Sequence, residues 1–476
     1  MEEKNSIVVV LKKLFHVTVV NNLVHALSEW SVRQGVPPVL ALALLIGAVP
    51  LGVALGTASV QPLYQLANDQ ADRQHIRRLR RIALIQIAAA ALILIAFATD
   101  SLALLVAARV LLGQLAGMAM HAARQFVMET PRDTQRAFCS SLLIMHFSVG
   151  DVAAAFITMP AVFGTGTLWP FAMIVGCLPA LLFVPLSYWL KESPVCLHGA
   201  LHTRVSGELW RSITFYHGEA HQESSARRLD EQAETQRARP VITCRHLWHS
   251  ASLRRPLLLA VFVAVCFRFD GHTIWLTYST ELLRETGYSI DRATKATLAV
   301  ICVRLLPTLL VPAAMDKCGR RPMTLVAAGV MLAMLLLAIL MTSVVPRASY
   351  TTAVLLCTAT VTLTASCAVS ASTECMFTEL FPAYARAKST VVIQSALWLA
   401  YTVSLAAFPI LLHFISFTGA LSFHAVVFGV SFLLMLSWLP ETKQRSFQQI
   451  YMTYFCDDEE RMALFVDDRS VALHSL

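Results

Sequence analysis

Long runs of apolar residues alternate with short polar segments along most of the chain. Each run is close to the ~20 residues that a helix needs to cross a hydrocarbon layer of about 30 Å. The runs cover 38–62, 82–99, 102–126, 138–162 and 168–190, and then 257–281, 294–315, 322–345, 350–376, 389–415 and 418–439. This pattern predicts an all-α polytopic membrane protein with about eleven transmembrane helices.

The first 36 residues do not follow this pattern. Ile7 to Val20 is mostly apolar, but Lys12, Lys13 and His16 interrupt it. A basic amphipathic stretch of this kind is typical of a helix that lies in the membrane interface. Two interpretations stay open: an interfacial helix, which we favour, or a truncated first span, which would bring the count to twelve.

A polar interval divides the apolar runs into two groups. We therefore predict five parts, namely an N-terminal segment, a first bundle, a central loop, a second bundle and a tail. Their limits are 1–36, 37–190, 191–255, 256–440 and 441–476. The central loop contains a run rich in His, Glu and Arg, from His217 to Arg245, which indicates short solvated helices at the membrane surface.

Composition supports the membrane assignment and excludes several classes of function. Of the 476 residues, 56% are hydrophobic and only 14% are charged, whereas soluble proteins carry about 25% charged residues. The net charge of +8 does not indicate nucleic-acid binding, because the basic residues fall in short loops between apolar runs. The eleven cysteines and the histidines show no ligand spacing. We therefore expect no metal, no cofactor and no nucleic-acid partner.

Basic residues accumulate in alternate connections. They are Arg73, Arg77, Arg78, Arg80 and Arg81 after the first span, Arg132 and Arg136 after the third, and Lys317, Arg320, Arg321, Arg386, Lys388, Lys443 and Arg445 in the second half. The connections near 100, 163–167, 346–350 and 416 hold almost none, and 284–296 is a mild exception. Because positive loops stay in the cytoplasm, we expect a multi-pass protein of the plasma membrane whose central loop and tail are cytoplasmic.

Five motifs stand at or near helix ends in a fixed order. They are Arg109 to Glu129 with Arg136 seven residues later, Lys191-Glu192-Ser193-Pro194, Asp316-Lys317-Cys318-Gly319-Arg320-Arg321, Glu379-Leu380-Phe381 with Arg386, and Pro440-Glu441-Thr442-Lys443-Gln444-Arg445. In this order they resemble the sugar porter branch of the major facilitator superfamily, the relatives of the facilitative glucose transporters. The resemblance covers nearly the whole chain after residue 37. It implies two six-helix bundles, of which the N-terminal one lacks or is degrading its first helix.

The charged motif residues form a candidate cytoplasmic gate. Opposite charges at inner helix ends can join two bundles in one state and separate in the other, each pair contributing on the order of 1 kcal/mol. The candidate gate residues are Arg109, Glu129, Arg136, Asp316, Arg320, Arg321, Glu379 and Arg386. The N-terminal copy of the Arg-rich turn is absent, and a longer basic loop, Asn68 to Arg81, stands in its place. The alternative is that these charges only anchor helix ends to lipid headgroups.

The resemblance also places a substrate cavity at the middle of the bundle, where the family binds a neutral sugar through amide side chains and a tryptophan. The matching positions in this chain are Ile144 in helix five, Phe267, Arg268 and Thr273 in helix seven, Arg304 in helix eight, Glu374 in helix ten and Leu397 in helix eleven, where Trp398 keeps its place. Asp151 and Tyr278 complete the candidate set. None of the family's polar contacts is retained at the matched positions.

The replacements change the expected chemistry of the cavity. Arg268, Asp270, Arg304, Asp151 and Glu374 are ionisable residues near the middle of predicted helices. Such residues are costly in contact with lipid, so they should face the interior of the bundle. Two arginines suit a carboxylate or another charged solute better than a neutral sugar. The alternative is that the charges neutralise one another and the site has decayed.

These observations predict a transporter and not an enzyme, because no nucleophile–base pair or phosphate-binding loop is present in the sequence. The solute is small and polar, either sugar-like or charged. Two alternatives stay open: a transporter of organic anions or amino acid-like solutes with the same fold, and a non-transporting membrane receptor or scaffold. The expected partners are the solute and the lipid bilayer, with the protein a monomer or a weak oligomer.

Overall fold

The computed structural model describes residues 38–66, 75–130, 148–163, 168–201, 207–219, 222–237, 244–285, 287–344, 349–445 and 447–455. All regular secondary structure within these ranges is helical, which confirms the predicted all-α membrane fold. Ile7 to Val20, Arg136, Ile144 and most of the tail lie outside the described residues. The five predicted parts of the chain stay predictions.

The first half contains six described helices. They are α1 Pro38–Leu66, α2 His75–Ala98, α3 Leu102–Glu129, α4 Ser148–Ile157, α5 Trp169–Val175 and α6 Leu178–Leu186. The loop predicted to extend to Arg81 is wrong, because α2 already begins at His75. Arg80, on the second turn of α2, donates from Nε to Ser187 Oγ at 2.8 Å, and its guanidinium stacks on Tyr188. These contacts explain why arginine is accommodated inside the helix.

The central segment is helical as well. Its helices are α7 Pro194–Leu201, α8 Gly207–His217, α9 Gln222–Arg237 and α10 Cys244–His249. Leu197, Leu209, Ile213 and Leu229 form a small apolar core between α7, α8 and α9. His217 also lies within hydrogen-bonding distance of the backbone oxygen of Thr130, at 2.9 Å. Helix α8 therefore lies against the end of α3, whereas Leu247 of α10 packs in a core of the second half.

The second half contains nine described helices. They are α11 Ala251–Cys266, α12 His272–Glu285, α13 Ile290–Val303, α14 Leu305–Cys318, α15 Arg320–Val344, α16 Ser349–Glu379, α17 Ala383–Phe414, α18 Phe417–Trp438 and α19 Phe447–Tyr454. Large apolar side chains on the outer surface are widely exposed, among them Leu306, Val326 and Leu433 at 63%, 68% and 66%. Such a surface is stable in lipid and not in water.

Seven described helices are long and apolar enough to cross a membrane without interruption, namely α1, α2, α3, α15, α16, α17 and α18. Three further predicted spans appear as pairs of half-helices: α5 with α6, α11 with α12, and α13 with α14. The fourth, 138–162, is described only from residue 148 onwards.

The interruptions in the second half have local causes. Between α11 and α12 the backbone turns at Gly271, whose φ is +82°, a conformation that glycine adopts without strain. Between α13 and α14 the break falls at Arg304. Pro307 follows three residues later and has no amide hydrogen for the carbonyl of Val303. Both breaks lie near the middle of their spans.

The two halves are in close contact through α1 and α17, where Gly47 lies against Thr402 and Ala406. One large apolar cluster also contains side chains of both halves, for example Leu105 of α3, Tyr278 of α12 and Phe408 of α17. This cluster surrounds the start of α3, whereas Glu129 ends that helix. The halves therefore share a core at one end of the bundle, and we call the opposite end, where Glu129, Gly319 and Glu379 lie, the basic end.

Candidate functional site

An ion pair joins the two halves near the middle of the bundle. Asp151 of α4 and Arg304, at the break between α13 and α14, approach at 2.5 Å between Oδ2 and Nη1. Beside them, the hydroxyls of Ser148 and Thr308 are 3.1 Å apart. The arginine side chain is 11% exposed and the aspartate 31%. Burial of this order strengthens the attraction but also makes an unpaired member costly.

Arg268 lies at the other helix break, beside an aromatic pair. Its guanidinium carbon is 5.8 Å from the centre of the Tyr401 ring, and the Trp398 ring packs edge-on against the same tyrosine at 5.5 Å. Tyr401 is also within electrostatic reach of Asp151 and Arg304. The structure thus brings together four of the predicted cavity residues: Asp151, Arg268, Arg304 and Trp398.

Asp270 and His272 are engaged with each other. Asp270 is 2% exposed, accepts a hydrogen bond from the backbone N–H of His272 at 3.0 Å, and lies 3.4 Å from that ring's Nδ1. The carboxylate therefore caps the first turn of α12, where unpaired backbone N–H groups favour a negative charge. Asp270 is in this way a structural cap for a half-helix.

Three predicted cavity residues are packed away from the cavity. Phe267, Thr273 and Tyr278 are 2%, 1% and 0% exposed. Phe267 packs against Phe428, and the Tyr278 hydroxyl donates to the backbone oxygen of Leu405 at 3.2 Å. Sequence position placed them on the cavity helices, but their side chains build the core around those helices. The structure therefore corrects their assignment as cavity-lining residues.

Glu374 has a different place from the one predicted. Its Oε2 lies 3.5 Å from Nη1 of Arg124 on α3, and its Oε1 accepts from Gln394 at 2.6 Å. This second link between the halves, which we call the latch, lies one to two turns from the basic end. Arg124 was not among the residues predicted from the sequence. The spacing of charged residues could have identified it, because Arg124 precedes Glu129 by five residues, as Glu374 precedes Glu379.

At the basic end of the second half, Glu379 and Glu441 hold the start of α15. Glu379 pairs with Arg320 at 2.9 Å and accepts a hydrogen bond from Thr442. The Glu441 carboxylate accepts from the backbone N–H groups of Arg320 and Arg321, at 3.1 and 3.2 Å. We call this arrangement the second-half clasp. It ties α15, α16 and the segment after α18 together within one half.

The first half carries a matching arrangement. Glu129 lies 2.9 Å from Nε2 of His75 and accepts from Ser193 at 2.9 Å, while Glu192 accepts from the backbone N–H of Ile76 at 3.1 Å. Burial raises the pKa of the Glu192 carboxyl, and the hydrogen bond from Ile76 opposes that rise. We call this the first-half clasp. It ties α2, α3 and the segment after α6 together.

The geometry revises the predicted gate. Among the motif charges that the structure describes, Arg320 pairs with Glu379 within the second half and Glu129 pairs with His75 within the first. Arg321 donates to the backbone oxygen of Leu436 at 2.9 Å, and Arg386 donates to that of Phe381 at 3.0 Å. Nothing is described for the side chain of Asp316.

Arg109 is also corrected. It lies twenty residues before Glu129 on the same helix, which places it about 30 Å away. Its Nε donates to the backbone oxygen of Leu45 at 3.0 Å. A residue near the shared core cannot belong to a gate at the basic end.

The chain is similar to known proteins over most of its length. The family described as "Sugar (and other) transporter" matches residues 23–454. The chain is 27% identical to facilitated glucose transporter member 4 of Mus musculus over 55% of this chain and 51% of that protein. It is 22% identical to the glucose transporter GlcP of Staphylococcus epidermidis, over 86% and 87%. The chain thus spans about half the length of the mammalian transporter that it matches.

The fold is shared with a solved transporter. The inward-open xylose transporter XylE from E. coli superimposes with a TM-score of 0.71, covering 95% of this chain and all of that one at 18% identity. That likeness shows the fold, while the family match shows the relationship. Sugar porters are transporters and not enzymes, which confirms the prediction of a non-enzyme. The chain belongs to the sugar (and other) transporter family, as a divergent sugar porter of the major facilitator superfamily.

Proposed function

We propose that the protein moves a small polar solute across a membrane by alternating access to a site between its halves. The observation that carries this proposal is the pair of interrupted helices, α11–α12 and α13–α14, with Arg268 and Arg304 at their breaks. Interrupted helices at mid-membrane commonly build solute sites, since their freed backbone and side chains face a cavity.

The distribution of contacts supports a rocking motion. At one end the halves share a continuous apolar cluster. Towards the basic end they meet through the latch of Arg124 and Glu374, whose side chains are 30% and 34% exposed. An ion pair exposed to about this degree is worth about 0–1 kcal/mol, so it can break and re-form during a cycle. The clasps lie within each half and hold it rigid while the halves rotate.

The names of the relatives favour a sugar-like solute. The glucose transporters named above and an arabinose-proton symporter of Bacillus subtilis share 21–27% identity with the chain. The positive loop charges favour a basic end that faces the cytoplasm, with the central helices and the tail on the cytoplasmic side of the plasma membrane. A receptor or scaffold that has lost transport is the competing function, because no amide of the family's sugar site is retained at the matched positions.

Uptake into proteoliposomes tests the proposal. The purified chain is reconstituted and offered radiolabelled D-glucose, D-xylose and D-glucuronate. We expect saturable uptake of at least one of them, reduced about tenfold or more in Arg304→Gln, because that change leaves the partly buried Asp151 without its cation. Lys295→Gln is the matched control, since Lys295 pairs with Asp291 at an exposed site. Absence of saturable flux for every solute would contradict the proposal and favour the scaffold.

A further inference from the structure

We propose that the transported solute is a small hydroxylated carboxylate of the sugar-acid class, whose carboxylate is bound by the guanidinium of Arg268 with the indole N–H of Trp398 as a second donor. This inference rests on the proposed function, because it concerns the same site. It differs in assigning the charge of the solute and the group that recognises it.

Arg268 is a cation within a membrane-spanning segment that has no acidic partner among the described residues. Its contact there is with the ring of Tyr401, and its Nε is buried without a hydrogen-bond partner. An arginine at this depth is expensive unless its donors are satisfied. A distance of 5.8 Å to the ring centre is near the outer limit of a cation–π contact. The contact with Tyr401 therefore leaves most of the guanidinium's binding capacity unused.

The nearby carboxylates are already engaged. Asp151 pairs with Arg304 across the two halves. Asp270, two residues from Arg268, accepts the backbone N–H of His272 and lies against that ring. Neither carboxylate lies within ion-pair distance of Arg268. No carboxylate of the described residues is therefore left for this guanidinium, and a bound anion would supply the missing negative charge.

A second donor points to the same place. The indole Nε1 of Trp398 is buried without a partner, and its ring packs on the Tyr401 ring that Arg268 also faces. Arginine offers two parallel N–H groups that match the two oxygens of a carboxylate. An indole N–H can donate to a third oxygen, such as a ring hydroxyl. The two side chains together suit an anion that also carries hydroxyl groups.

Helix geometry explains how these donors reach the site. Arg268 follows the last turn of α11, directly before the glycine turn, so its side chain leaves the backbone where the helix is interrupted. Trp398 and Tyr401 lie one turn apart on α17, on the same face. Both elements belong to the second half. Binding would therefore order donors within one half before the first half closes over the solute.

The test uses three matched ligands and the full-length protein in detergent. D-glucuronate carries the carboxylate, its methyl ester keeps the size but removes the charge, and D-glucose lacks the carboxyl group altogether. Affinity is measured by thermal stabilisation and by intrinsic tryptophan fluorescence for the wild type, Arg268→Gln, Arg268→Lys and the control Lys295→Gln. We expect glucuronate to bind the wild type at least tenfold more tightly than the ester or glucose.

The variants separate contact from packing. Arg268→Gln should abolish the preference for glucuronate over its ester. Arg268→Lys should keep part of that preference, because the ammonium group retains the charge but lacks the two parallel N–H donors of the guanidinium. Lys295→Gln should behave as the wild type. The proposal is overturned if the wild type binds the ester or glucose as tightly as glucuronate, if it binds none of them, or if Arg268→Gln keeps the preference.

Flux measurements keep this inference distinct from the proposed function. Uptake of glucose without uptake of glucuronate would support the transport function and contradict the proposal that the solute is an anion. Saturable, Arg268-dependent binding of glucuronate without uptake would support the anion site and contradict transport. Uptake of glucuronate that is saturable and lost in Arg268→Gln supports both.

Discussion

The two clasps at the basic end have the same plan but different chemistry. In each, a glutamate near the end of a long helix, Glu129 or Glu379, contacts a basic residue at the start of the preceding helix and a hydroxyl after the last span of its half. A second glutamate, Glu192 or Glu441, accepts from the backbone at that same helix start. The correspondence indicates two repeats of one design.

The difference lies in the basic residue and the turn before it. The second half uses Arg320, which is always charged, and reaches it through the single-residue turn at Gly319. The first half uses His75, whose charge changes near neutral pH, and reaches it by a longer connection. The second-half clasp is therefore rigid and permanent, whereas the strength of the first-half clasp depends on conditions.

The largest expected effect comes from Gly319→Ala. Gly319 has a φ of +93°, and an added Cβ would meet Glu441 Oε2 at 2.7 Å. The substitution should cost about 1–2 kcal/mol for the backbone conformation and a further 1–3 kcal/mol because the carboxylate must leave its backbone donors. Gly287→Ala is the matched control, since Gly287 has a φ of +101° with nothing within 4 Å. Thermal unfolding in detergent measures both; equal losses would show that the clasp contributes nothing.

Removing one charge from each clasp compares the two directly. Glu379→Gln removes the carboxylate that Arg320 contacts at 14% exposure, and the guanidinium keeps its charge, whereas His75 can lose its proton when Glu129→Gln removes its partner. We expect a loss of unfolding free energy of about 2 kcal/mol for the first change and about 1 kcal/mol for the second. Denaturant or thermal unfolding of both variants at pH 7 provides the comparison. A larger loss for Glu129→Gln would reverse the ranking of the clasps.

His75→Arg should remove a pH dependence. His75 faces Glu129 and lies near Glu192, so the pair is strongest when the imidazole is protonated. That stabilisation is complete below the ordinary histidine pKa of about 6.5 and fades as pH rises above it. Between pH 6 and 8 the wild type should lose up to about 1 kcal/mol of stability relative to His75→Arg, which keeps its charge. The free energy of unfolding of both proteins is measured at several pH values across this range. The same change with pH in both would contradict a contribution from the protonation of His75.

The sequence was sufficient for the fold and for the glutamates of the clasps, but it did not identify His75 and it did not give the direction of the contacts. Apolar runs and the order of the motifs marked Glu129, Arg320 and Glu379 because helix ends and charge are local properties. Whether Arg320 meets a residue of its own half or of the other depends on how the helices pack. Phe267 and Tyr278 show the same limit, because rotation of a helix about its axis decides between core and cavity.

Arg124 shows what pairwise spacing can add. Its link to Glu374 joins residues far apart in the chain, so no local pattern reports it. Comparison of the two halves, each with a charged residue five positions before its clasp glutamate, would have identified the pair. The interruption at Arg304 was hidden for a different reason, since the apolar run continues through it without a change in composition.

The most direct test of the account is a set of distances between spin labels at the basic end, in a variant without the native cysteines. Labels at Lys191 and Lys317 measure the separation of the halves, and labels at Lys317 and Ala387 measure the second half alone. Removing the latch with Arg124→Gln and Glu374→Gln should broaden or lengthen the first distance and leave the second unchanged. Equal changes in both distances, or no change in either, would contradict two rigid halves that rock about a central site.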